Sequence, residues 1–156
     1  MAAGNQGSQN HGGIDTVSLE PRSSGNPGTI PIFSIAPGTV SRVRDPMSDS
    51  AGFYVDVSHD NGTTSQYMHL HTIQVTSGQR VEAGTVVGTM GTTGNSTGVH
   101  LHFQMWTGAA YSSEKVDPSS TLGLQCNELA KSNSRYGTLC QPGNQNFGPR
   151  GPYPGY

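Results

Sequence analysis

The sequence predicts an all-β fold, a mostly antiparallel β-sheet domain with long loops and an irregular C-terminal tail. Glycine accounts for 22 of the 156 residues, about twice its average usage. Val, Thr and Tyr are frequent, whereas runs of the strong helix formers Leu, Glu, Lys and Ala are scarce. Short apolar or alternating segments are separated by Gly, Pro and Asn turns. A chain of this length supports one domain with its own core, followed by a tail.

The predicted strands begin after a turn-rich stretch that covers residues 1–29. The clearest hairpin pairs Phe53–Ser58 with Thr64–Val75, because the Asn-Gly step between them favours a tight turn. A polar loop at Gly91–Gly98 then leads into a strand at Val99–Trp106. The other predicted strands are two short ones within Ile30–Val43, about the turn Pro37-Gly38, and Val-rich segments within Arg80–Met90.

The domain is predicted to occupy residues 1–118, with a C-terminal extension at residues 119–156. Within the extension, Thr121–Ser132 is predicted to hold one short helix, and Gln141–Tyr156 contains four Pro and four Gly without apolar periodicity. The two cysteines, Cys126 and Cys140, have a spacing that suits a small disulfide loop and equally allows free thiols. They lack the CxxC spacing of a metal or redox motif.

Charge and hydropathy exclude two classes of partner. Eight basic and ten acidic side chains give a net charge of −2, with no Lys/Arg cluster that could neutralise a run of phosphates, so nucleic acid is not an expected partner. No stretch approaches 18 apolar residues, so no membrane span is predicted. Met1–Asn10 lacks the charged and apolar regions of a signal peptide, so an export signal would lie elsewhere or be unnecessary.

The strand at Val99–Trp106 carries the most informative pattern, because side chains of a strand point alternately to opposite faces. One face is apolar and can pack in a core, and the other is polar and presents two imidazoles. The apolar face carries Leu101, Phe103 and Met105, and the polar face carries His100, His102, Gln104 and Trp106.

Five of the six histidines fall in three short groups, HGGID at 11–15, YMHLH at 67–71 and HLH at 100–102. Neutral imidazole and carboxylate are ligands of Zn²⁺, and a catalytic zinc uses three protein ligands and leaves a fourth position to water. His11 and Asp15 are four positions apart, the two glycines between them allow a tight loop, and a histidine of the strand would be the third ligand. The pattern is not HExxH on a helix.

The remaining aromatic and imidazole side chains are less specific. Strand alternation places His69 and His71 on one face with Tyr67, where His71 either borders a groove or faces solvent. His59, beside a predicted turn, is assigned no functional role. Tyr67 and Trp106 either contact a substrate or fill space.

Five segments occur in a recognisable order between His11 and Pro118. They are HGGID, IPIFSIAPGTV, QYMHL, VTSGQRVEAGTVVGTMGTTGNSTGVHLHFQ and Lys115-Val116-Asp117-Pro118. Together they resemble the M23 peptidases, the lysostaphin and LytM type of peptidoglycan endopeptidase. The sequence departs from that family in a longer connection at Ser18–Gly28 and in His71, which has no family counterpart.

The resemblance implies a substrate groove across the sheet, one Zn²⁺ per chain and a pair of catalytic histidines. By matching position, the zinc ligands would be His11, Asp15 and His102, and the catalytic histidines would be His69 and His100. Either histidine of the catalytic pair could be the general base.

The resemblance also implies a zinc metalloendopeptidase that hydrolyses a cross-bridge or stem peptide of bacterial peptidoglycan through a zinc-activated water. Its expected location is extracellular, at the cell wall or on a phage virion. The alternative is a non-catalytic LytM-like domain that binds the wall or regulates another protein, a role in which metal ligands have been lost. All five implied site residues are present here.

Overall fold

The structure of the protein, a computed structural model, describes residues 13–16, 26–45, 50–116 and 118. His11, the helix predicted at Thr121–Ser132, both cysteines and the Pro/Gly-rich tail lie outside these residues. The described residues form nine strands: β1 Ile14–Thr16, β2 Pro31–Phe33, β3 Gly38–Arg44, β4 Phe53–His59, β5 Thr64–Ile73, β6 Arg80–Val81, β7 Val86–Met90, β8 Leu101–Trp106 and β9 Lys115–Val116.

The strands form one sheet in which the main order is β1-β8-β5-β4-β3-β6. Strand β7 pairs with both β2 and β5, and β9 pairs with β8 beyond the end of β1. Every pairing is antiparallel, which confirms the predicted all-β class. The predicted hairpin is β4 and β5, with Gly62 at a φ of 84° in its turn. No helix among the described residues is long and apolar enough to cross a membrane.

The hydrophobic core covers one face of the central strands. Tyr67 on β5 lies opposite Phe103 on β8, with ring centroids 5.3 Å apart, and both rings are buried. Val55 on β4 lies opposite Tyr67 and completes the row. The apolar face predicted for the strand Val99–Trp106, which is β8 in the structure, therefore does pack in the core. Tyr67 is also a core residue.

A bulge in β5 breaks the alternation at His69. Tyr67 and Leu70 pair with Val55 and Phe53 on β4, so one more residue of β5 than of β4 lies between these pairs. His69 has a φ of 59°, in the left-handed region that non-glycine residues rarely adopt. The prediction that His69 shares a face with Tyr67 is therefore wrong. Tyr67 points into the core, while His69 lines the opposite face of the sheet.

On the core side, His59 belongs to a buried chain of hydrogen bonds. Its Nε2 lies 2.7 Å from the Ser65 hydroxyl, which lies 3.0 Å from the Tyr67 hydroxyl. Its Nδ1 lies 3.2 Å from the carbonyl oxygen of Pro37. The carbonyl can only accept, so Nδ1 carries the proton of the neutral ring. Burial is the main cause that lowers the pKa of His59, because it disfavours the charged imidazolium.

We predict that the free energy of unfolding falls as the pH drops below about 6.5, the ordinary pKa of histidine. The folded-state pKa of His59 lies below the unfolded value, so the unfolded chain takes up the proton first. The stabilisation is complete above that pH and is lost progressively below it. Denaturant titrations between neutral and mildly acidic pH measure the effect. His59→Gln should flatten the dependence, whereas the exposed control His71→Gln should not; equal slopes in both variants would contradict the assignment.

Candidate functional site

A groove of about 800 Å³ crosses the polar face of the sheet. Two parallel rows of cross-strand neighbours lie along its floor. We call the first the metal row; from β1 to β3 it consists of Asp15, His102 and Met68 and then, across the β5 bulge, of Tyr54 and Arg44. We call the second the polar row; from β8 to β3 it consists of Gln104, Gln66, Asp56 and Arg42.

Asp15 and His102 meet at the end of the metal row because β1 pairs with β8. The two residues are directly opposite in the register, and both are buried. His102 Nδ1 lies 2.6 Å from Asp15 Oδ1, so this nitrogen is the one that faces the carboxylate. Asp15 of the HGGID segment and His102 of the HLH strand, which were expected to meet as ligands, are therefore neighbours in the structure.

Gly13 explains how β1 can approach β8 so closely. A Cβ added at this position would lie 2.6 Å from Gln104 Cγ and 2.8 Å from His102 Nε2. Both distances are below any that real Cβ atoms adopt. The second glycine of HGGID is therefore a requirement of packing against the site.

His69 and His100 stand beside this pair, with ring centroids 4.7 Å apart. Each Nδ1 lies 2.8 Å from a backbone carbonyl, that of Thr93 for His69 and that of Gly98 for His100. Because a carbonyl only accepts, Nδ1 carries the proton of each neutral ring, and Nε2 keeps the lone pair. His100 Nε2 lies 3.8 Å from Asp15 Oδ1. The two rings can therefore take up protons next to the Asp15–His102 pair.

The loop residue Thr93 holds His69 in its unusual conformation. Its hydroxyl donates to the carbonyl of Leu70 at 2.7 Å and accepts from the Phe53 N–H at 3.0 Å. Its own carbonyl accepts from His69 Nδ1. The His69 N–H donates to the carbonyl of Ala51 at 3.1 Å. These bonds fix both backbone and ring of the bulged residue, as a strained functional position requires.

Burial lowers the pKa of His69, because the charged ring loses hydration. The Thr93 carbonyl opposes this shift, and the neighbouring imidazoles of His100 and His102 add to it. His69 is therefore neutral at neutral pH and able to accept a proton.

The donor set suits zinc, since imidazole nitrogen and carboxylate oxygen are its usual ligands together with thiolate. Among the described residues, no three His, Cys, Asp or Glu side chains form a metal-binding group. The third ligand expected from the sequence, His11, lies outside the described residues. Asp15, His102, His69 and His100 are brought together as predicted.

The groove also contains side chains that the sequence reasoning missed. Tyr54, Arg42 and Arg44 line it from β3 and β4, and Tyr111 lines it from the loop before β9. Strand alternation would have placed Arg42 and Arg44 on one face, but only the strand order shows which face that is. Tyr111 lies in a loop without periodicity and has a φ of 67°. His71 is exposed and is not among the residues that line the groove.

Comparison with known proteins gives a consistent result. The model of Peptidase family M23 matches residues 9–118. The glycyl-glycine endopeptidase ALE-1 of Staphylococcus capitis is 36% identical over 100 residues, which cover 58% of this chain and 28% of ALE-1. The peptidoglycan DD-endopeptidase ShyA of Vibrio cholerae is 37% identical over 75 residues, which cover 48% of this chain and 17% of ShyA.

Among solved structures, the catalytic domain of the antimicrobial peptidase lysostaphin from Staphylococcus simulans matches with a TM-score of 0.61. It is 30% identical in sequence, and the match covers 71% of this chain and 77% of that domain. The likeness thus extends over about three quarters of a catalytic domain. By contrast, this chain spans less than a third of the length of the curated relatives ALE-1 and ShyA.

We predict that Gly13→Ala weakens metal binding by about tenfold or more, the usual effect of disturbing groups that orient metal ligands. The added methyl group would push β1 away from β8 and separate Asp15 from His102. Competition with a zinc-sensitive dye measures the affinity. Gly108→Ala is the control, because its Cβ would meet only the Ser113 side chain, at 3.2 Å. Equal zinc affinity in the two variants would show that Gly13 does not set the ligand geometry.

Proposed function

Because the chain belongs to Peptidase family M23, a family of metallopeptidases, we propose that it is a zinc endopeptidase that hydrolyses peptide bonds in bacterial peptidoglycan. The observation that carries the proposal is the meeting of Asp15, His102, His69 and His100 at one point of a groove. The glycyl-glycine and DD-endopeptidase relatives support peptidoglycan as the substrate. The site of action would then be the cell wall, outside the cell.

The zinc would be held by His11, Asp15 and His102. Asp15 and His102 present an oxygen and a nitrogen to each other from directly opposite positions of β1 and β8. When bound, the zinc supplies Lewis acidity that activates water and polarises the scissile carbonyl. Gly13 keeps β1 close enough to β8 for this arrangement.

His69 and His100 would handle the protons of the reaction. With Nδ1 held by a backbone carbonyl, each ring in its neutral form offers Nε2 as a proton acceptor for the attacking water. Once protonated, the same nitrogen can donate a hydrogen bond to the developing oxyanion or return the proton to the leaving amine. The backbone anchors fix the rings before substrate binds, so little reorganisation is needed.

The groove fits an extended peptide that lies across the strands. Its floor combines flat side chains with hydrogen-bonding groups, such as Tyr54, Gln66 and Gln104. The metal row places the catalytic groups near the β1 edge of the sheet, so most of the groove extends toward β3. Several residues on one side of the cleaved bond can therefore contact the floor.

We predict that the zinc-loaded chain releases new amino groups from purified peptidoglycan and that a chelator abolishes this release. Zinc add-back should restore it, because the metal is the only component removed. Walls with glycine bridges and walls with direct stem-peptide links should be assayed in parallel. Bound zinc at one ion per chain without release from any wall would favour the non-catalytic, wall-binding alternative.

We predict that substitutions in the site separate into two classes. Asp15→Ala and His102→Ala should remove zinc and activity together. His69→Ala and His100→Ala should lower kcat by about 100-fold or more, as loss of a general acid or base does, while zinc content is retained. His71→Ala, an exposed histidine outside the groove lining, is the control and should keep both. Loss of zinc from His100→Ala as complete as that from His102→Ala would overturn the division of roles.

A further inference from the structure

We propose that the β3 end of the groove is an anion subsite, in which Arg42 and Arg44 recognise a carboxylate on the substrate peptide. The inference rests on the proposed function and specifies its substrate class. The favoured substrate is a peptide that carries a carboxylate several residues from the cleaved bond. A bridge made only of glycine offers no such group along its length.

The distribution of charge within the described residues supports this assignment. Three of their four basic side chains line the groove, namely Arg42, Arg44 and Lys115. The fourth, Arg80, is paired with Asp60 at 2.5 Å, away from the groove. Of the six described acidic residues, only Asp15, a proposed zinc ligand, lines the groove surface, and Asp56 of the polar row is buried beneath Arg42. Lys115 lies on β9, beside β8, whereas Arg42 and Arg44 both lie on β3 and make that end of the groove basic. The net charge of the whole chain is −2.

Arg42 is held in place from two sides. Its Nε lies 3.8 Å from Asp56 Oδ2 beneath it, and its guanidinium carbon lies 5.0 Å from the centre of the Tyr111 ring. A hydrogen bond with Tyr54 contributes to raising its pKa. The side chain nevertheless remains 47% exposed. A guanidinium that is oriented before binding loses little entropy when it pairs with a carboxylate, and its planar fork matches that ligand.

The burial of the Asp56 carboxyl group is unfavourable for the stability of the fold. The residue is 1% exposed, and its Oδ1 has no hydrogen-bond partner among the described residues. Burial raises the pKa of its carboxyl group to about 6. An apolar residue at this position would be less costly to bury. The cost is understandable if the carboxylate serves to hold Arg42 at the groove surface.

The position of the two arginines defines which substrate residue they would meet. Arg44 and His102 occupy the metal row three strand spacings apart, through β5 and β4. At about 4.8 Å per spacing this is roughly 14 Å. An extended peptide covers that distance in about four residues. The recognised carboxylate should therefore lie about four residues from the cleaved bond, as a terminal α-carboxylate or a side-chain carboxylate.

Matched peptides test the proposal on the zinc-loaded chain. Each pair shares one cleavable bond and differs only in a carboxylate or a carboxamide about four residues away, with a terminal and a side-chain version of each. The wild type should show a kcat/KM ratio of about tenfold in favour of the carboxylate in at least one version, and added salt should reduce it. The version with the larger ratio identifies the source of the carboxylate. A ratio near one in both versions would overturn the proposal.

Substitutions test whether the two arginines cause the kcat/KM preference for the carboxylate peptide. The double change Arg42→Met with Arg44→Met should bring the ratio close to one, and Arg42→Lys with Arg44→Lys should restore part of it by restoring charge. Arg80→Met, which removes a basic side chain outside the groove, should keep the wild-type ratio. A wild-type ratio in the double Met variant would overturn the assignment.

Binding distinguishes failure of this inference from failure of the proposed function. Trp106, the only tryptophan of the sequence, lies 5.3 Å from the Tyr111 ring and reports on this part of the groove. Cleavage of both peptides at equal rates would refute the subsite and leave the endopeptidase intact. Tighter binding of the carboxylate peptide without cleavage of either would support the subsite and refute the function. Tighter binding of a glycerol phosphate oligomer than of either peptide would overturn the subsite in favour of an anionic polymer.

Discussion

The antiparallel register between β5 and β8 determines which side chains meet in the groove. Tyr67 opposite Phe103 places two rings in the core, and this fixes Gln66 opposite Gln104 and Met68 opposite His102 on the other face. A slip by one residue would turn the imidazole into the core and the phenyl ring into the groove. Burial of the apolar faces of β5 and β8 therefore fixes which side chains lie opposite each other on their polar faces. Site geometry here follows from core packing before any metal is considered.

At His69 the structure departs from regular strand geometry, and the departure has a consequence for the site. A left-handed conformation at a non-glycine residue costs on the order of 1–3 kcal/mol, and it persists because Thr93 and Ala51 bind the backbone and ring. Gly94 and Gly52 lie close together, and both have a positive φ. Glycine at these two positions therefore permits this loop packing. The loops beside the groove therefore place the His69 imidazole on the groove face, whereas regular strand alternation would place it on the core face.

The β5–β8 register and the bulge at His69 explain how much of the structure could be predicted from the sequence. Alternation at Val99–Trp106 correctly assigned both faces of β8, because that strand is regular and its two faces differ in chemistry. The same reasoning failed at His69, because a bulge is produced by loop contacts that a local pattern does not contain. Arg42 and Arg44 were missed for another reason: they are 60 and 58 residues from His102 along the chain, and only the strand order brings them into one groove.

The two ends of the groove have different chemistry, and this has a consequence for substrate orientation. The β1 end holds Asp15 and three histidines, whereas the β3 end is basic. A peptide can lie across the strands in either direction when only its backbone is recognised, because a uniform floor contacts both directions equally. A carboxylate held at the β3 end would remove that ambiguity and present the same bond to His69 and His100 each time. Charge at one end of a sheet face can therefore set the reacting bond at the other, without any contact to the reacting atoms.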